Sequence, residues 1–207
     1  MNNKQITKEA HNAIAEKYYE LYKDDTSDLK YFDFFLEDCK PRILDLGCGM
    51  GHYSNYMYNK GFDVVGIDIS ENMINIAKRN NPNIEFIVSD ICDLDVIKNY
   101  KFGGVILAYV LQHLSKEEVL KLFSKINYIV NYNCKLLMFL REGNGIIEEV
   151  EPIDTRYKYV INEYSKEEIK NILLDNGWKI NLIETKEYID DPNSLAPTTL
   201  VVIAQKN

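Results

Sequence analysis

The stretch ILDLGCGMGHYS, residues 43–54, decides the fold of this 207-residue chain. Its first four residues are a short apolar run around one aspartate, and glycines follow at alternate positions, Gly47, Gly49 and Gly51. The run predicts a buried β-strand, and the glycines predict a tight turn whose backbone N–H groups a ligand can approach closely. A plain strand-to-helix turn is the simpler alternative, but three alternate glycines after an aspartate favour a binding turn.

Composition predicts one globular domain. Hydrophobic residues make up 46% of the chain and charged residues 27%, which is typical of a folded protein. The net charge of −8 argues against a large nucleic-acid surface. The longest apolar runs fall far short of the roughly 20 residues that cross a bilayer, and the polar N-terminus lacks a signal-peptide pattern. We therefore expect a cytoplasmic protein without membrane or nucleic-acid partners.

Two periodicities alternate along the chain. Helical segments separate short runs rich in Val, Ile, Leu and Phe, which predicts a parallel sheet covered on both faces. The predicted strands are residues 42–46, 63–68, 84–88, 104–110 and 135–140. Near the C-terminus, WKINLIETKEYI and TTLVVIAQK follow each other without a helix between them. These two segments predict a hairpin at one edge of the sheet.

Local signals mark several helix boundaries. Ser115 with Glu118 and Ser165 with Glu168 are capping-box pairs, each placed before an apolar face with helical spacing. Gly177 is the expected stop of the second of these helices.

The N-terminal segment, residues 1–40, is predicted to form a helical cap over the sheet. Ala10, Ile14 and Tyr18, with Leu21 or Tyr22, share one helical face.

Acidic residues lie at the ends of three successive predicted strands. Asp68 follows Gly47 by 21 residues, where a carboxylate can accept both hydroxyls of a ribose. Asp90 can bond the exocyclic amine of a base, and Asp45 can reach an amino group held near the glycine turn. The turn is not a dinucleotide fingerprint, because His52 stands where GxGxxG would continue and would crowd a pyrophosphate.

The motifs ILDLGCGMG, VVGIDIS, IVSDICDL and VILAYVLQHL resemble, in order and spacing, those of the class I S-adenosylmethionine-dependent methyltransferases of small-molecule type. The likeness is specific over residues 42–114 and looser beyond. It implies a Rossmann-like, doubly wound α/β sheet of seven strands, mostly parallel with an antiparallel C-terminal edge. It also implies S-adenosylmethionine as the cofactor and S-adenosylhomocysteine as the product. One departure is Gly103, where the family often carries an aspartate.

The resemblance also implies which residues hold the cofactor. The glycine turn would hold the methionyl part, Asp68 the ribose, and the residues after the second and third strands the adenine, while the end of the fourth strand offers backbone contacts. The implied set is Asp45, Gly47, Cys48, Gly49, Gly51, Asp68, Ile69, Met73, Asp90, Ile91 and Ala108. Tyr18 or Tyr22, but not both, is expected to close over the cofactor; an aromatic stripe covering the core is the alternative.

The acceptor side has weaker signals. His113 is the candidate base or acceptor-orienting group, with packing or capping of the next helix as an equal alternative. His52 is expected to pack, and His11 to be exposed. The four scattered cysteines are expected to be reduced, and no metal site is predicted.

Residues 141–164 are predicted to be a lid that follows a core of residues 41–140, with a C-terminal helix and edge strands over 165–207. Residues 141–160 read as one long loop, and a loop of this length in a compact domain is often a lid or a binding element. Tyr109, Arg141, Arg156 and Tyr157 are the candidate acceptor contacts, and either arginine could hold an anionic acceptor. Both could equally be ordinary surface charges.

Missing motifs narrow the acceptor to a small molecule. The sequence has neither the Asn-Pro-Pro-Tyr type of stretch used by DNA amino-methyltransferases nor a Pro-Cys nucleophile. Two other functions stay open. One is a nucleoside-binding protein that holds the cofactor without turning it over, and the other is an NAD-linked oxidoreductase. The oligomeric state is left open.

Overall fold

A computed structural model describes residues 3–187 and 198–207, and its elements alternate as the sequence predicts. The helices are α1 (Asn3–Tyr22), α2 (Leu29–Leu36), α3 (His52–Asn59), α4 (Glu71–Asn80), α5 (Lys116–Ile129) and α6 (Lys166–Asp175). The strands are β1 (Ile43–Leu46), β2 (Val64–Asp68), β3 (Glu85–Val88), β4 (Phe102–Ala108), β5 (Val130–Arg141), β6 (Gly145–Val150), β7 (Lys158–Glu163), β8 (Trp178–Glu187) and β9 (Thr198–Lys206). Short 3-10 helices cover Asp95–Ile97 and Leu111–His113.

Seven strands form one sheet in the order β3-β2-β1-β4-β5-β9-β8. The first five strands of that order pair in parallel, whereas β9 is antiparallel to both of its neighbours. The predicted Rossmann-like sheet with an antiparallel C-terminal edge is therefore confirmed. The carboxyl ends of β1, β2 and β4 lie side by side, which is where such sheets bind ligands.

Two strands, β4 and β5, differ from their predicted bounds by two residues or more. β4 ends at Ala108 because Tyr109 takes a left-handed backbone conformation, φ +57°, which breaks the extended chain. β5 begins at Val130, five residues before the predicted start, and its first residue pairs with Phe102 next to an irregularity in the register.

The N-terminal segment has two roles rather than one. α1 packs on α4 and β7 and is the predicted cap. α2 instead covers a face of the sheet, with Phe32 and Phe35 fully buried in the same core cluster as Ile106 and Phe139. The apolar surface of α2 explains this position, because it must be buried against the sheet.

The predicted lid is a structured β-hairpin, not a loop. Strands β6 and β7 pair antiparallel, and β7 packs against the 3-10 helix of Leu111–His113 and against α1. The alternation in GIIEEV and KYVINE is the strand signal that the loop prediction missed: Tyr159 and Ile161 are buried, and Ile146 and Val160 are exposed. No helix in residues 3–187 or 198–207 is long and apolar enough to span a membrane.

The predicted helix boundaries are confirmed. Ser115 and Ser165 each accept a hydrogen bond from the backbone N–H three residues on, and the matching glutamate completes both capping boxes. Gly177 follows α6 with φ +74°.

Ser165→Ala should lower the free energy of unfolding by about 1 kcal/mol, because the N–H of Glu168 loses its acceptor. Chemical denaturation of both proteins measures the difference. Ser124→Ala, an exposed serine inside α5, is the matched control and should change stability by less than about 0.5 kcal/mol. Equal effects of the two substitutions would contradict the capping role.

Candidate active site

A cavity of about 720 Å³ opens at the carboxyl ends of β1, β2 and β4, beneath α1 and the β6–β7 hairpin. Most of the predicted site residues lie on its wall. They are Tyr18, Tyr22, Gly47, Cys48, Gly49, Asp68, Ile69, Met73, Asp90, Ile91, Ala108, Tyr109 and His113. The strand ends, the cap and the hairpin therefore build one shared site.

The glycine turn meets steric demands that a side chain would break. Gly47 has φ +78°, and a Cβ there would lie 2.7 Å from Cγ2 of Val110. Gly49 also has positive φ, but a Cβ there would meet nothing within 4 Å. The turn therefore leaves open space in front of Gly49. Gly51 differs, because it is not on the cavity wall and instead lets α3 approach Phe86 closely.

Two backbone donors orient the Asp68 carboxylate. The N–H of Gly49 donates to Oδ2 over 2.9 Å, and the N–H of Ser70 donates to Oδ1 over 2.8 Å. Each carboxylate oxygen can accept a further hydrogen bond. The half-buried carboxylate can thus receive hydroxyl donors from the cavity.

Asp90 is engaged by α1, which the sequence did not indicate. Lys4 Nζ lies 2.9 Å from Oδ2 of Asp90 and 2.8 Å from Oε1 of Glu118. The N–H of Cys92 donates to Oδ1 of Asp90 over 2.8 Å. The ion pairs attach the start of α1 to the segment after β3 and to α5. Lys4 itself lines the cavity.

Asp45 lies beneath the glycine turn rather than on the cavity wall. It is 1% exposed, and Oγ of Ser54 donates to its Oδ2 over 2.6 Å. Burial raises the pKa of Asp45 to about 7, and the charge of Asp68 adds to the effect. The buried position of Asp45 therefore does not support the expected direct contact with a ligand.

His113 lies on the cavity wall, and its Nδ1 is buried without a hydrogen-bond partner in the described part of the chain. Its ring packs edge-to-face against Tyr159, with centroids 5.3 Å apart. Burial, with a smaller contribution from His11, lowers the pKa of His113 to about 3. The imidazole is therefore neutral over the physiological range.

Of the other two histidines, His11 differs from its expectation and His52 agrees with it. His11 was expected to be exposed, but it is half-buried, lines the cavity and lies 6.0 Å, ring to ring, from His113. His52 packs at the start of α3, with Nε2 2.6 Å from the carbonyl oxygen of Asp25.

Tyr18 and Tyr22 both line the cavity, so the structure does not single out one of them to close over the cofactor. Their ring centroids are 4.6 Å apart. They lie on the last turns of α1, four residues apart, which places both on the same face of the helix. Burial raises the pKa of the Tyr18 hydroxyl, so that group stays protonated.

Three predicted acceptor contacts lie off the cavity wall. Arg141 is tied within the hairpin region, to Glu149 over 2.5 Å and to Glu163 over 3.4 Å. Arg156 is exposed and pairs with Asp154 two residues away. Tyr157 packs beside the small cluster around Tyr159. The predicted arginine contact to an anionic acceptor is not supported by these positions.

Two buried carboxylates on the wall were missed. Asp28 is 2% exposed and accepts hydrogen bonds from the hydroxyls of Tyr53 and Tyr109, both 2.9 Å long, while Lys186 lies 2.7 Å from its Oδ1. Glu151 is also 2% exposed. The sequence carried little signal for either. The partners Tyr109 and Lys186 of Asp28 lie far along the chain, and Glu151 is held by Tyr159 across a hairpin that the sequence did not predict.

Comparison with known proteins indicates a methyltransferase domain. A family model described as a methyltransferase domain matches residues 43–132. An uncharacterized methyltransferase of Alkaliphilus oremlandii (strain OhILAs) is 24% identical over 170 residues, which are 74% of this chain and 76% of that one. A protein carrying the name methyltransferase 235L, from Invertebrate iridescent virus 6, is 40% identical over 72% of this chain, and the match spans 50% of its own length.

Among solved structures, magnesium protoporphyrin IX methyltransferase from Synechocystis PCC 6803 with bound S-adenosylmethionine superposes with a TM-score of 0.74. The identity is 19%, and the match covers 100% of this chain and 98% of that one. This likeness shows the shared fold. The methyltransferase domain over residues 43–132 and the relatives named as methyltransferases support a class I S-adenosylmethionine-dependent methyltransferase.

The buried Asp45 predicts a pH-dependent stability. With a pKa near 7 in the folded state and an ordinary value of 3.8, the folded protein retains a proton that the unfolded chain releases. The contribution of Asp45 to stability therefore falls as pH rises from about 4 to 7. Relative to wild type, Asp45→Asn should gain on the order of 1 kcal/mol or more between pH 5 and pH 8.

Denaturant unfolding at the two pH values measures this gain. Asp63→Asn, which alters an exposed aspartate, serves as the control and should give no comparable change. A stability difference between Asp45→Asn and wild type that is the same at both pH values would contradict a protonated Asp45.

Proposed function

We propose that this protein transfers a methyl group from S-adenosylmethionine to a small-molecule acceptor bound in the cavity under α1 and the β6–β7 hairpin. One observation carries the proposal: the glycine turn and the Asp68 carboxylate open into the same cavity as Tyr109 and His113. A donor site and an acceptor site are therefore adjacent. Relatives named as methyltransferases and the matching domain support the reaction class.

The residues on the wall suit the cofactor. The open space before Gly49 leaves room for the methionyl part, and Asp68, oriented by two backbone donors, can accept the ribose hydroxyls. Ile69, Met73 and Ile91 offer apolar surface for the adenine beside Asp90. Tyr18 and Tyr22 cover the cavity from α1.

The glycine turn and Asp68 would hold S-adenosylmethionine, which would supply a methyl group on a sulfonium for transfer to a lone pair of the acceptor, with the C–S electron pair left on the sulfur of S-adenosylhomocysteine. Since the electrophile is already activated, the protein mainly has to align the two molecules and exclude water. The cap and the hairpin cover the site, and the acceptor loses its proton to solvent or to a neighbouring group.

His113 suits acceptor orientation better than proton removal. An imidazole with a pKa of about 3 is a weak base, because desolvation disfavours its protonated form. The same neutral ring can exchange hydrogen bonds with an acceptor. We therefore assign His113 to acceptor positioning.

Asp68→Ala should weaken S-adenosylhomocysteine binding by about 10- to 100-fold, because two hydroxyl hydrogen bonds to a carboxylate are lost. Isothermal titration calorimetry measures the Kd for wild type and variant. Asp63→Ala, an exposed aspartate just before β2, should leave the Kd unchanged.

The same titration with NAD separates the reaction classes. We expect no saturable NAD binding to wild type. Tight NAD binding, or S-adenosylhomocysteine binding that survives Asp68→Ala unchanged, would contradict the proposed cofactor site.

His113→Gln should lower kcat/KM for the acceptor by about 10-fold and leave S-adenosylhomocysteine affinity unchanged, because the group positions the acceptor alone. The pH dependence of kcat/KM between pH 5 and 9 should have the same shape in both proteins. An acidic limb near pH 6.5 in wild type that disappears in His113→Gln would show a titrating base instead. Unchanged turnover in His113→Gln would show that His113 does not position the acceptor.

A further inference from the structure

The part of the cavity wall beyond the proposed cofactor contacts is acidic. Its carboxylates are Asp24, Asp25, Asp28, Glu149 and Glu151. Within the described ranges, Lys4 is the only lysine or arginine on the wall, and Asp90 and Glu118 already flank its ammonium group. An anionic acceptor would therefore meet no lysine or arginine on this wall, within the described ranges, that lacks an acidic partner. The wall instead favours a ligand that brings positive charge or N–H donors.

Glu151 differs from the buried Asp28 and the half-buried Glu149 on this part of the wall. Lys186 pairs with Asp28, and Arg141 pairs with Glu149. No ion pair joins Glu151 to a lysine, arginine or histidine of residues 3–187 and 198–207. A buried carboxylate without a cation is costly, so a cationic ligand at this position would be bound strongly.

Neutral donors orient Glu151 toward the same region. The N–H of Ile153 donates to Oε1 and the hydroxyl of Tyr159 donates to Oε2, both over 2.8 Å. A carboxylate has further lone pairs to accept hydrogen bonds. The hairpin thus presents a fixed, incompletely used acceptor group on the cavity wall.

A second group with unused hydrogen-bonding capacity packs against the same tyrosine. The Tyr159 ring that holds Glu151 also packs against His113, whose buried Nδ1 has no hydrogen-bond partner in the described ranges. A carboxylate and a neutral imidazole therefore flank one region of the wall. A molecule with a basic nitrogen can donate to the first and exchange hydrogen bonds with the second.

We propose that the methyl acceptor carries a basic nitrogen and that Glu151 binds this nitrogen. The inference rests on the proposed function and names its substrate class, a small organic amine. Glu151 recognises the amine through a charge-assisted hydrogen bond. The Glu151 carboxylate, which no cation of the described ranges pairs with, repels carboxylates and phosphates of similar shape and so excludes them.

The test uses three probes that share one skeleton: tyramine, the corresponding alcohol tyrosol, and 4-hydroxyphenylacetate. Each is titrated into the 207-residue protein saturated with S-adenosylhomocysteine. We expect tyramine to bind at least 10-fold more tightly than the alcohol, and the carboxylate to bind least. Binding of the carboxylate as tight as that of the amine, or binding of none of the probes, would overturn the proposal.

Glu151→Gln tests the residue. The variant should lose at least 10-fold in tyramine affinity, with tyrosol affinity changed less than 3-fold and S-adenosylhomocysteine affinity unchanged. Glu148→Gln, on the exposed side of β6, is the matched control and should bind all probes as wild type does. Tyr159→Phe keeps the carboxylate and should keep the amine preference. Unchanged tyramine affinity in Glu151→Gln would overturn the assignment.

The cofactor titrations keep the two proposals apart. Failure of wild type to bind S-adenosylhomocysteine would refute the proposed function itself. If S-adenosylhomocysteine binds but the probes show no amine preference, only the acceptor class is wrong. Glu151→Gln could instead weaken the binding of S-adenosylmethionine relative to that of S-adenosylhomocysteine and leave the affinities for the three probes unchanged. Glu151 would then face the sulfonium and not the acceptor.

Discussion

The hydrogen bond from the N–H of Gly49 to the carboxylate of Asp68 is the contact on which the site depends. It joins the turn after β1 to the end of β2, and the N–H groups of Gly47 and Cys48 reinforce it by donating to the carbonyl of Ile67. The turn can lie this close to Val110 only because Gly47, in a left-handed conformation, has no side chain. The space in front of Gly49 is open.

The cover of the site depends on a second set of contacts, made by the first residues of α1. The side-chain amide of Asn3 donates to the carbonyl oxygens of His113 and Val160, while the N–H of Val160 donates back to its Oδ1. Lys4 adds the ion pairs to Asp90 and Glu118. Cap, hairpin and strand ends are thus connected around one cavity, so that residues far apart in sequence act on one ligand.

Signals within a few residues of each other predicted most of the fold. The apolar runs placed β1 to β5, and Ser115 and Ser165 marked the helix starts, because strand burial and capping depend on neighbours in sequence. Gly103 departs from the family pattern for a reason visible only in three dimensions: a Cβ there would lie 2.5 Å from Cβ of Lys40. Close packing between distant segments leaves no local pattern.

The same distinction between local signals and contacts made only in the folded chain applies to the site residues. The glycine turn and Asp68 carry local motifs and were found. Lys4 instead pairs with residues 86 and 114 positions away in sequence, and Glu151 is held by Tyr159 across the hairpin. Arg141 was misplaced because its partners, Glu149 and Glu163, come from strands that the loop prediction omitted. Charged side chains near a site can be assigned only when their partners are known.

A crystal structure of the protein with S-adenosylhomocysteine would test the central claim most directly. The account predicts that both ribose hydroxyls bond the Asp68 carboxylate, with the thioether sulfur directed toward Tyr109 and His113 and the amino-acid part lying over Gly49. Density for the ligand elsewhere, or a ribose turned away from Asp68, would contradict it.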